Sequence, residues 1–492
     1  MLNGLNLVSQ KTLVDSYELS VNDIIIDVSI SSYEDEPVPV YEISITNISE
    51  TTKIILEKIR EEFISQETKT IEKKDFLEIT GIQEQFKINI LRLLRKYFPT
   101  ANKKTMDMLI NYVLQQNIGL GNIDILLKDK NLEEIVVNNA KEPIWVYHRK
   151  HGWLKTNIKL SDESRVRHYS TIIGRDIGKE ITILNPLMDA HLKTGDRVNA
   201  TLEPISSKGN TITIRKFAVK PWTITDFIKE GTISYEAAAL LWVAVQNELS
   251  VIISGGTASG KTSMLNVISN FFPPNQRIIS LEDTREINLP DILHWVPLET
   301  RLPNPEGKGG ISMLDLVVNS LRMRPDRIVV GEIRKRAEAE VLFEAMHTGH
   351  SVYGTLHANN VKETINRLTH PPIDLSKQLL SAMSLIVVQH INRRNGKRRT
   401  LQIGEVLPDG DAQTIMQLNP IKDAIEVLAE PETIYETIKL YLGLSKEDIK
   451  KDLDEKAEIL KWMVTNSITD LNRIGIIMSN YYRKKPFKEI SR

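Results

Sequence analysis

Residues 255–262 combine glycines, a lysine and a threonine in the order G-x-x-x-x-G-K-T. This pattern is typical of a loop whose backbone N–H groups surround phosphate oxygens at the N-terminus of a helix. The lysine of such a loop reaches the β- and γ-phosphates of a nucleotide, and the hydroxyl after it binds Mg²⁺. We therefore predict an ATP and Mg²⁺ site in which Lys261 and Thr262 have these roles. The predicted nucleotide-binding residues are Gly255, Gly256, Thr257, Ala258, Ser259, Gly260, Lys261, Thr262 and Ser263.

Two carboxylates at the ends of later apolar runs are candidates for the hydrolysis step. Glu282 follows the run 278–281, and Glu332 follows the run 328–331. Ligands of open α/β sheets lie at the carboxyl ends of the strands, where both side chains would project. Hydrolysis of ATP requires a carboxylate to hold the hydration shell of Mg²⁺ and a polar group to orient the attacking water. We predict that Glu282 and Glu332 divide these two tasks, and the residues alone leave open which carboxylate has which task.

The segments that position these residues alternate between strand and helix patterns. The apolar run 249–253 precedes the glycine loop, and the helical pattern 264–268 follows it. Such alternation predicts a mainly parallel sheet with crossover helices, preceded here by a mixed α+β N-terminal domain. The predicted segments are a helical and strand subdomain at 1–128, an α+β subdomain at 129–218, a linker at 219–232, an ATPase domain at 233–420 and a helical extension at 421–492.

The composition is that of an ordinary globular protein with more than one domain. The 63 basic side chains are balanced by 64 acidic ones, so net charge gives no sign of nucleic-acid binding. The absence of cysteine excludes disulfides and cysteine-based zinc sites. The longest purely apolar run, 237–245, is too short to span a bilayer, and residues 1–11 lack the features of a signal peptide. We therefore expect a cytoplasmic protein, unless a partner holds it at a membrane.

Four motifs occur in the order found in secretion ATPases, the family of type II and type IV secretion, type IV pilus and archaellum motors. The glycine loop is the first. The next three resemble the family's Asp box, Walker B region and His box, and they are Leu281–Glu286, Ser320–Arg334 and Thr348–His357. Upstream, the segments 146–149, 195–200 and 213–217 resemble the archaeal branch, and a cysteine-free chain lacks the zinc site that many bacterial motors carry.

This resemblance implies a homo-hexameric ring with a PAS-like region at 129–218 and a RecA-like C-terminal domain, hinged so that ATP lies between the two domains. The ring would act at the inner face of the cell membrane on a polytopic platform protein, and through it on pilin-like subunits. Glu282 would polarise the attacking water and Glu332 would hold the Mg²⁺ hydration shell, although the residues alone leave these roles exchangeable. His350 and His357 would sense or position the γ-phosphate. They lie near opposite ends of one predicted strand, which argues against a shared zinc.

Two arginines are candidates for stabilising charge at the γ-phosphate, as phosphoryl transfer requires. In the run 211–215 the isoleucines share one strand face, and Arg215 lies on the other face with two threonines. Arg215 would therefore point towards a partner domain or solvent. Arg197, in a Gly-Asp-Arg turn, is the second candidate. A solvated surface arginine in a weak ion pair is an equally good interpretation of each.

The sequence predicts a Mg²⁺-dependent ATPase that powers assembly of a type IV pilus-like filament in an archaeon. An archaellum motor is the near alternative, because the same core residues serve both. A DNA-directed motor is more distant, because no basic and aromatic stripe is evident beyond a cluster at 322–336. A nucleotide-gated scaffold is a third class, and two well-placed glutamates argue against it.

Two expectations concern helix ends. Ser312 and Asp315 are spaced for a capping box, and Pro325 should end the helix that they begin. After Pro420 the pattern is helical to the end, and we expect the basic, aromatic segment 481–488 to be a solvated, fraying terminus.

Overall fold

Strands with alternating apolar side chains build two sheets, one in each half of the chain. The computed structural model divides the protein into two units, Met1–Val219 and Lys220–Arg492, and each has its own hydrophobic core. The structure describes residues 11–484, apart from positions 22–23, 46–47, 50, 53, 60–61, 63–78, 118, 193, 217–220, 302 and 304–306.

The first unit contains a nine-stranded mixed sheet in the order β1-β2-β3-β6-β5-β4-β9-β8-β7. The pair β3 and β6 is parallel, and the other neighbouring pairs are antiparallel. Strands from both sides of residue 128 belong to this one sheet, and a subdivision at that point stays a prediction. The strands are β1 (Lys11–Val21), β2 (Ile24–Tyr33), β3 (Val40–Ile45), β4 (Leu132–Val137), β5 (Trp145–His148), β6 (Gly152–Thr156), β7 (Leu187–His191), β8 (Arg197–Thr201) and β9 (Thr211–Arg215). The helices with described bounds are α1 (Ile79–Tyr97), α2 (Lys103–Asn117), α3 (Asn122–Lys128) and α4 (Glu163–Asp176).

The second unit has the predicted parallel sheet, extended by three antiparallel strands. Its order is β12-β11-β13-β14-β10-β15-β16-β17-β18, and the strands from β12 to β15 in this order are parallel. The strands are β10 (Val251–Gly255), β11 (Arg277–Glu282), β12 (His294–Glu299), β13 (Arg327–Val330), β14 (Ser351–Leu356), β15 (Leu385–Ile391), β16 (Arg398–Val406), β17 (Ala412–Asn419) and β18 (Ala424–Val427).

Helices cover both faces of this sheet. Val251 and Ile253 pack into one apolar cluster and Ile252 into another, because successive strand residues point to opposite faces. This arrangement is the RecA-like α/β fold that the sequence predicted. The helices are α5 (Ile224–Lys229), α6 (Tyr235–Gln246), α7 (Lys261–Ser269), α8 (Met313–Ser320), α9 (Arg336–His347), α10 (Val361–Thr369), α11 (Lys377–Leu380), α12 (Glu432–Leu442), α13 (Lys446–Thr465) and α14 (Leu471–Tyr482). None of the helices in the described residues is long and apolar enough to cross a bilayer.

Local chemistry sets several of these boundaries. The capping box of Ser312 and Asp315 is present at the start of α8 as predicted, and a 3₁₀ turn after α8 ends at Met323, before Pro325. The expectation of helix directly after Pro420 is wrong. Residues 424–427 instead form β18, which pairs with β17, because a turn reverses the chain at Asp423, whose φ is 49°.

A buried cation connects the C-terminal helices to the rest of the second unit. Lys456 on α13 is fully buried, and its Nζ donates to the Asp452 carboxylate and to the Tyr481 hydroxyl. The same Nζ lies 5.5 Å from the ring centre of Trp242 on α6. Trp242 in turn stacks on Phe271, with ring centres 5.2 Å apart. The C-terminal helices are therefore part of the ATPase unit's own core.

The expected fraying from residue 481 is wrong for the two tyrosines that end α14. The Tyr482 hydroxyl donates to the Phe271 carbonyl over 2.5 Å and accepts from the Trp242 Nε1 over 3.1 Å. The Tyr481 and Tyr482 rings pack against the core, and both hydroxyls have hydrogen-bond partners, so these two residues are held in place. Residues 485–488 lie outside the described part of the chain.

We predict that Lys456→Ala lowers the free energy of unfolding by about 2 kcal/mol, because it removes a buried partner of Asp452 and leaves a cavity. Thermal unfolding of the full chain measures the effect, with Lys451→Ala, an exposed lysine on the same helix, as the control. Equal unfolding temperatures for the two variants would contradict the prediction.

Candidate nucleotide site

The glycine loop follows the buried strand β10 and leads directly into α7, as predicted. Gly255 and Gly260 have φ values of 153° and 93°. A Cβ on Gly255 would lie 2.4 Å from the Gln389 carbonyl oxygen, so no other residue type fits there. The loop therefore has the open backbone that N–H groups need in order to surround an anion. Thr257 and Ala258 are exposed at its tip, Ser259 is buried below them, and Thr262 and Ser263 lie half-buried in the first turn of α7.

Lys261 lies at the mouth of this loop. Its Nζ donates to the carbonyl oxygens of Gly255 and Gly256, each over 3.0 Å, and lies 3.3 Å from the His357 Nδ1. Burial lowers the pKa of Lys261, and the negative charge of Glu332 partly opposes this shift. The lysine is therefore a cation at a partly desolvated position beside the loop.

Glu332 follows β13 and faces the same point. One of its carboxylate oxygens lies 3.3 Å from the His357 Nε2, and the other accepts a hydrogen bond from Arg334 over 2.7 Å. Burial alone would raise the pKa of Glu332, but the Arg334 hydrogen bond and the positive charges nearby outweigh it, so the pKa is lowered. Glu332 is thus held as an anion. Burial and the charge of Lys261 lower the pKa of His357, which favours its neutral form.

Glu282 ends β11 in a different environment. Its side chain is 1% exposed, and one carboxylate oxygen accepts from the backbone N–H groups of Glu286 and Ile287 over 2.7 and 2.9 Å. The other oxygen, Oε2, is buried and has no hydrogen-bond partner within the described residues. Burial raises the pKa of Glu282 to about 7. An orphaned acceptor with this pKa is suited to taking a proton near neutral pH.

The structure places His350 apart from this group, and its expected role at the γ-phosphate stays a prediction. It precedes β14 whereas His357 follows it, so the two lie at opposite edges of the sheet, about 20 Å apart. The His350 Nδ1 lies 3.2 Å from the Ala345 carbonyl oxygen and 3.4 Å from the Thr348 hydroxyl. It is therefore a locally bonded residue at the start of a strand.

Arg197 and Arg215 lie in the first unit, opposite each other on β8 and β9. Ile212 and Ile214 are buried and Arg215 is exposed, as the alternation predicted. Arg197 forms two hydrogen bonds with the Asp189 carboxylate, over 3.0 and 2.6 Å. The surface ion pair that was the alternative interpretation is therefore present for Arg197.

Arg334 completes the site, although the sequence analysis gives it no role there. It donates to Glu332 and also, over 2.6 Å, to Asp283, so it connects the ends of β13 and β11. Its position two residues after Glu332 is the signal that distinguishes it within the basic cluster 322–336. Arg327 of that cluster is fully buried, and it donates to the Val245 carbonyl and lies 4.8 Å from the ring centre of Phe272. Arg327 therefore serves the core.

The described residues fit ATP and Mg²⁺ by three observations. The loop cannot accept a Cβ at Gly255, a lysine and an anionic carboxylate meet beside it, and a buried carboxylate oxygen is left without a partner. Lys261 would bind the β- and γ-phosphates, and Thr262 with Glu332 would hold the hydrated cation. No group of three or more His, Asp or Glu side chains in the described residues is arranged to hold a metal ion by itself.

Comparison with known proteins assigns the family. The model of the type II/IV secretion system protein family matches residues 117–434, so the chain belongs to that family, as its motifs predicted. A protein of Methanocaldococcus jannaschii is 36% identical over 386 residues, which cover 76% of this chain and 69% of that protein. A second protein of the same archaeon is 35% identical over 352 residues, and the match spans 46% of its length.

Other relatives carry more specific descriptions. A Mycobacterium tuberculosis protein named for conjugal transfer is 33% identical over 308 residues, which cover 59% of this chain and 86% of that protein. Among solved structures, the VirB11 ATPase of the Brucella suis type IV secretion system is 22% identical, with a TM-score of 0.30, over 57% of this chain and 92% of that one. The pilus retraction motor PilT with bound ADP is 18% identical, with a TM-score of 0.42, over 67% of this chain and 96% of that one.

We predict that Glu282→Gln removes a pH-dependent loss of stability. The pKa of this carboxyl rises from an ordinary 4.5 to about 7 on folding, so the unfolded chain loses its proton first as pH rises. The free energy of unfolding therefore falls by about 3 kcal/mol as the pH rises through these two pKa values, and it stays lower above them. Thermal unfolding at pH 4 and pH 8 should show a smaller pH-dependent decrease for Glu282→Gln than for the wild type. The exposed Glu344→Gln variant serves as the control. The same decrease in all three proteins would refute the assignment.

Proposed function

We propose that the protein is a Mg²⁺-dependent ATPase that works as a homo-hexamer and couples ATP hydrolysis to assembly of a type IV pilus-like filament, through a polytopic membrane platform protein. The observation that carries this proposal is the meeting of Lys261, Glu332 and His357 beside the glycine loop, at the carboxyl edge of a parallel sheet. Membership of the type II/IV secretion family supports the motor class, and the Methanocaldococcus jannaschii relatives support an archaeal setting.

The loop and α7 bind the phosphates in this proposal. Backbone N–H groups of residues 256–262 converge on the phosphate oxygens, where the helix dipole also favours negative charge. Lys261 exchanges its two loop carbonyls for phosphate oxygens, and this exchange offsets the cost of its partial burial. Thr262 directs its hydroxyl towards the cation site. A Mg²⁺ ion held by Thr262 and Glu332 would neutralise charge that develops on the β- and γ-phosphates.

The two carboxylates have different tasks because their environments differ. Glu332, whose pKa is lowered, is an anion at neutral pH and holds the hydration shell of the cation. Glu282, with its raised pKa and unpartnered oxygen, accepts a proton from the attacking water. His357 lies between Lys261 and Glu332 and can offer a hydrogen bond to the γ-phosphate.

Arg215 and Arg197 supply positive charge from the first unit in this proposal. Arg215 is exposed at the end of its strand, on the face opposite the buried Ile212 and Ile214. Arg197 would have to leave Asp189, and an exposed pair of this kind costs only about 0–1 kcal/mol to break.

A DNA-directed conjugative motor is a second candidate function, favoured by the relative named for conjugal transfer. An archaellum motor shares the same core residues and is the other candidate within the class. Filament motors and DNA motors differ in what stimulates them, so a single assay with alternative additions separates these two classes.

We predict that the purified chain hydrolyses ATP only with Mg²⁺ and that Lys261→Ala and Glu332→Gln each lower turnover by about 100-fold or more, because they remove phosphate and cation ligands. Phosphate release measures turnover, and light scattering on the same samples measures mass. Arg197→Ala and Arg215→Ala should lower turnover while nucleotide affinity is retained. Asp189→Asn, which removes the charge of the Asp189 carboxylate beside Arg197, serves as their control.

A ring-sized wild type whose turnover equals that of Lys261→Ala would refute the ATPase and favour a scaffold. A rise in turnover on addition of DNA would favour the conjugative motor. A rise with membranes that contain the platform protein would favour the filament motor.

A further inference from the structure

The tip of the glycine loop contains an alanine in a conformation that favours glycine. Ala258 has a φ of 62°, in the left-handed region that a side chain with a Cβ occupies only at a cost. Such a conformation persists where surrounding contacts hold it. The contact here comes from a distant part of the chain: the Arg398 Nε donates to the Ala258 carbonyl over 3.0 Å.

Arg398 is placed to make this contact by the sheet itself. It is the first residue of β16, and it pairs with Ile391 of β15, the neighbour of β10. Its side chain runs along the loop, because a Cβ added to Gly260 would lie 3.5 Å from the Arg398 Cδ. The Arg398 side chain therefore lies along the loop from Gly260, the residue before α7, to Ala258 at the strained tip.

The next residue fixes the backbone of Arg398. Arg399 is nearly buried and forms two hydrogen bonds of 2.8 Å with the Asp423 carboxylate. Its Nη1 also donates to the Arg398 carbonyl over 2.9 Å and to the Glu230 carbonyl over 3.1 Å. The backbone of Arg398 is thus held in place, so its side chain can hold the loop in place as well.

We propose that Arg398 is a positioning residue of the nucleotide site, which holds the Ala258 carbonyl outward so that the N–H groups of the loop face the phosphates. This inference rests on the proposed nucleotide site. Arg398 acts through the backbone of Ala258, so its role depends on the strain at that residue and not on its charge alone. A glycine at position 258 would adopt the same φ without strain, and it would therefore remove much of the need for Arg398.

The test compares binding of methylanthraniloyl-ADP with Mg²⁺ to the full chain and its variants, by fluorescence titration. We expect Arg398→Ala to weaken binding about tenfold, the size of effect typical of a lost hydrogen bond from a charged donor. Arg398→Lys keeps the charge but lacks the planar Nε–H, and it should weaken binding to a similar extent. Ala258 lies in the binding loop, so the Ala258→Gly variant serves as the reference for the double variant Ala258→Gly with Arg398→Ala. In that glycine background, loss of Arg398 should cost only a small part of the tenfold that it costs beside Ala258, because the strain that Arg398 offsets is gone. Arg393→Ala, on the exposed turn before β16, is the matched control and should bind normally.

Thermal unfolding of each variant shows whether it is folded, and the rescue by Ala258→Gly separates positioning from a general loss of fold. Unchanged binding by Arg398→Ala would overturn the inference. Weak binding that Ala258→Gly does not restore, with normal binding by Arg398→Lys, would instead show direct contact of the charge with the nucleotide and would also overturn it. A wild type that binds no nucleotide would refute the proposed function and this inference together.

Discussion

The position of the Lys261 amine is the constraint on which the candidate site depends. A partly buried cation is stable only where acceptors and negative charge replace water, and here two loop carbonyls and Glu332 do so. The strand order supplies this environment. Because β14 lies between β10 and β13, the residue that leaves β14, His357, stands between the residues that follow the other two strands. Neighbouring strands are about 4.8 Å apart, so Lys261 and Glu332 can both reach this histidine.

Two carboxylates at this edge of the sheet differ in their acid–base properties. Glu282 ends β11 and Glu332 follows the adjacent strand β13. The pKa of Glu282 is raised, whereas that of Glu332 is lowered. The difference lies in their partners: Glu332 bonds a guanidinium, whereas Glu282 bonds backbone N–H groups in a buried position. Pairs of titratable groups with opposite shifts are a common basis for distinct roles in one reaction. Arg334 maintains the difference, since its hydrogen bonds go to Glu332 and Asp283.

The sequence predicted those features that follow from local spacing. The glycine loop, the alternation in β9 and the capping box of Ser312 are patterns within a few residues, and the structure has all three. The alternation of strand and helix patterns also predicted the parallel sheet. Strand pairing across long separations was not predictable in this way, which is why the contact of Arg398 with Ala258, 140 residues away, gave no signal. The seven-residue spacing of His350 and His357 predicted that they lie near opposite ends of one strand, and β14 has this arrangement.

The C-terminal helices show how a distant segment can serve the same site. The last carbonyl groups of a helix lack partners within it and need donors from elsewhere in the chain. Just beyond α7, the Phe271 carbonyl accepts the Tyr482 hydroxyl, and the Phe271 ring stacks on Trp242. Tyr482 therefore binds at the C-terminal end of α7, the helix that Lys261 begins, while Arg398 contacts the glycine loop at its N-terminal end. The extension after residue 430 therefore packs against the end of the helix that follows the glycine loop. Its sequence is constrained by the core that it completes.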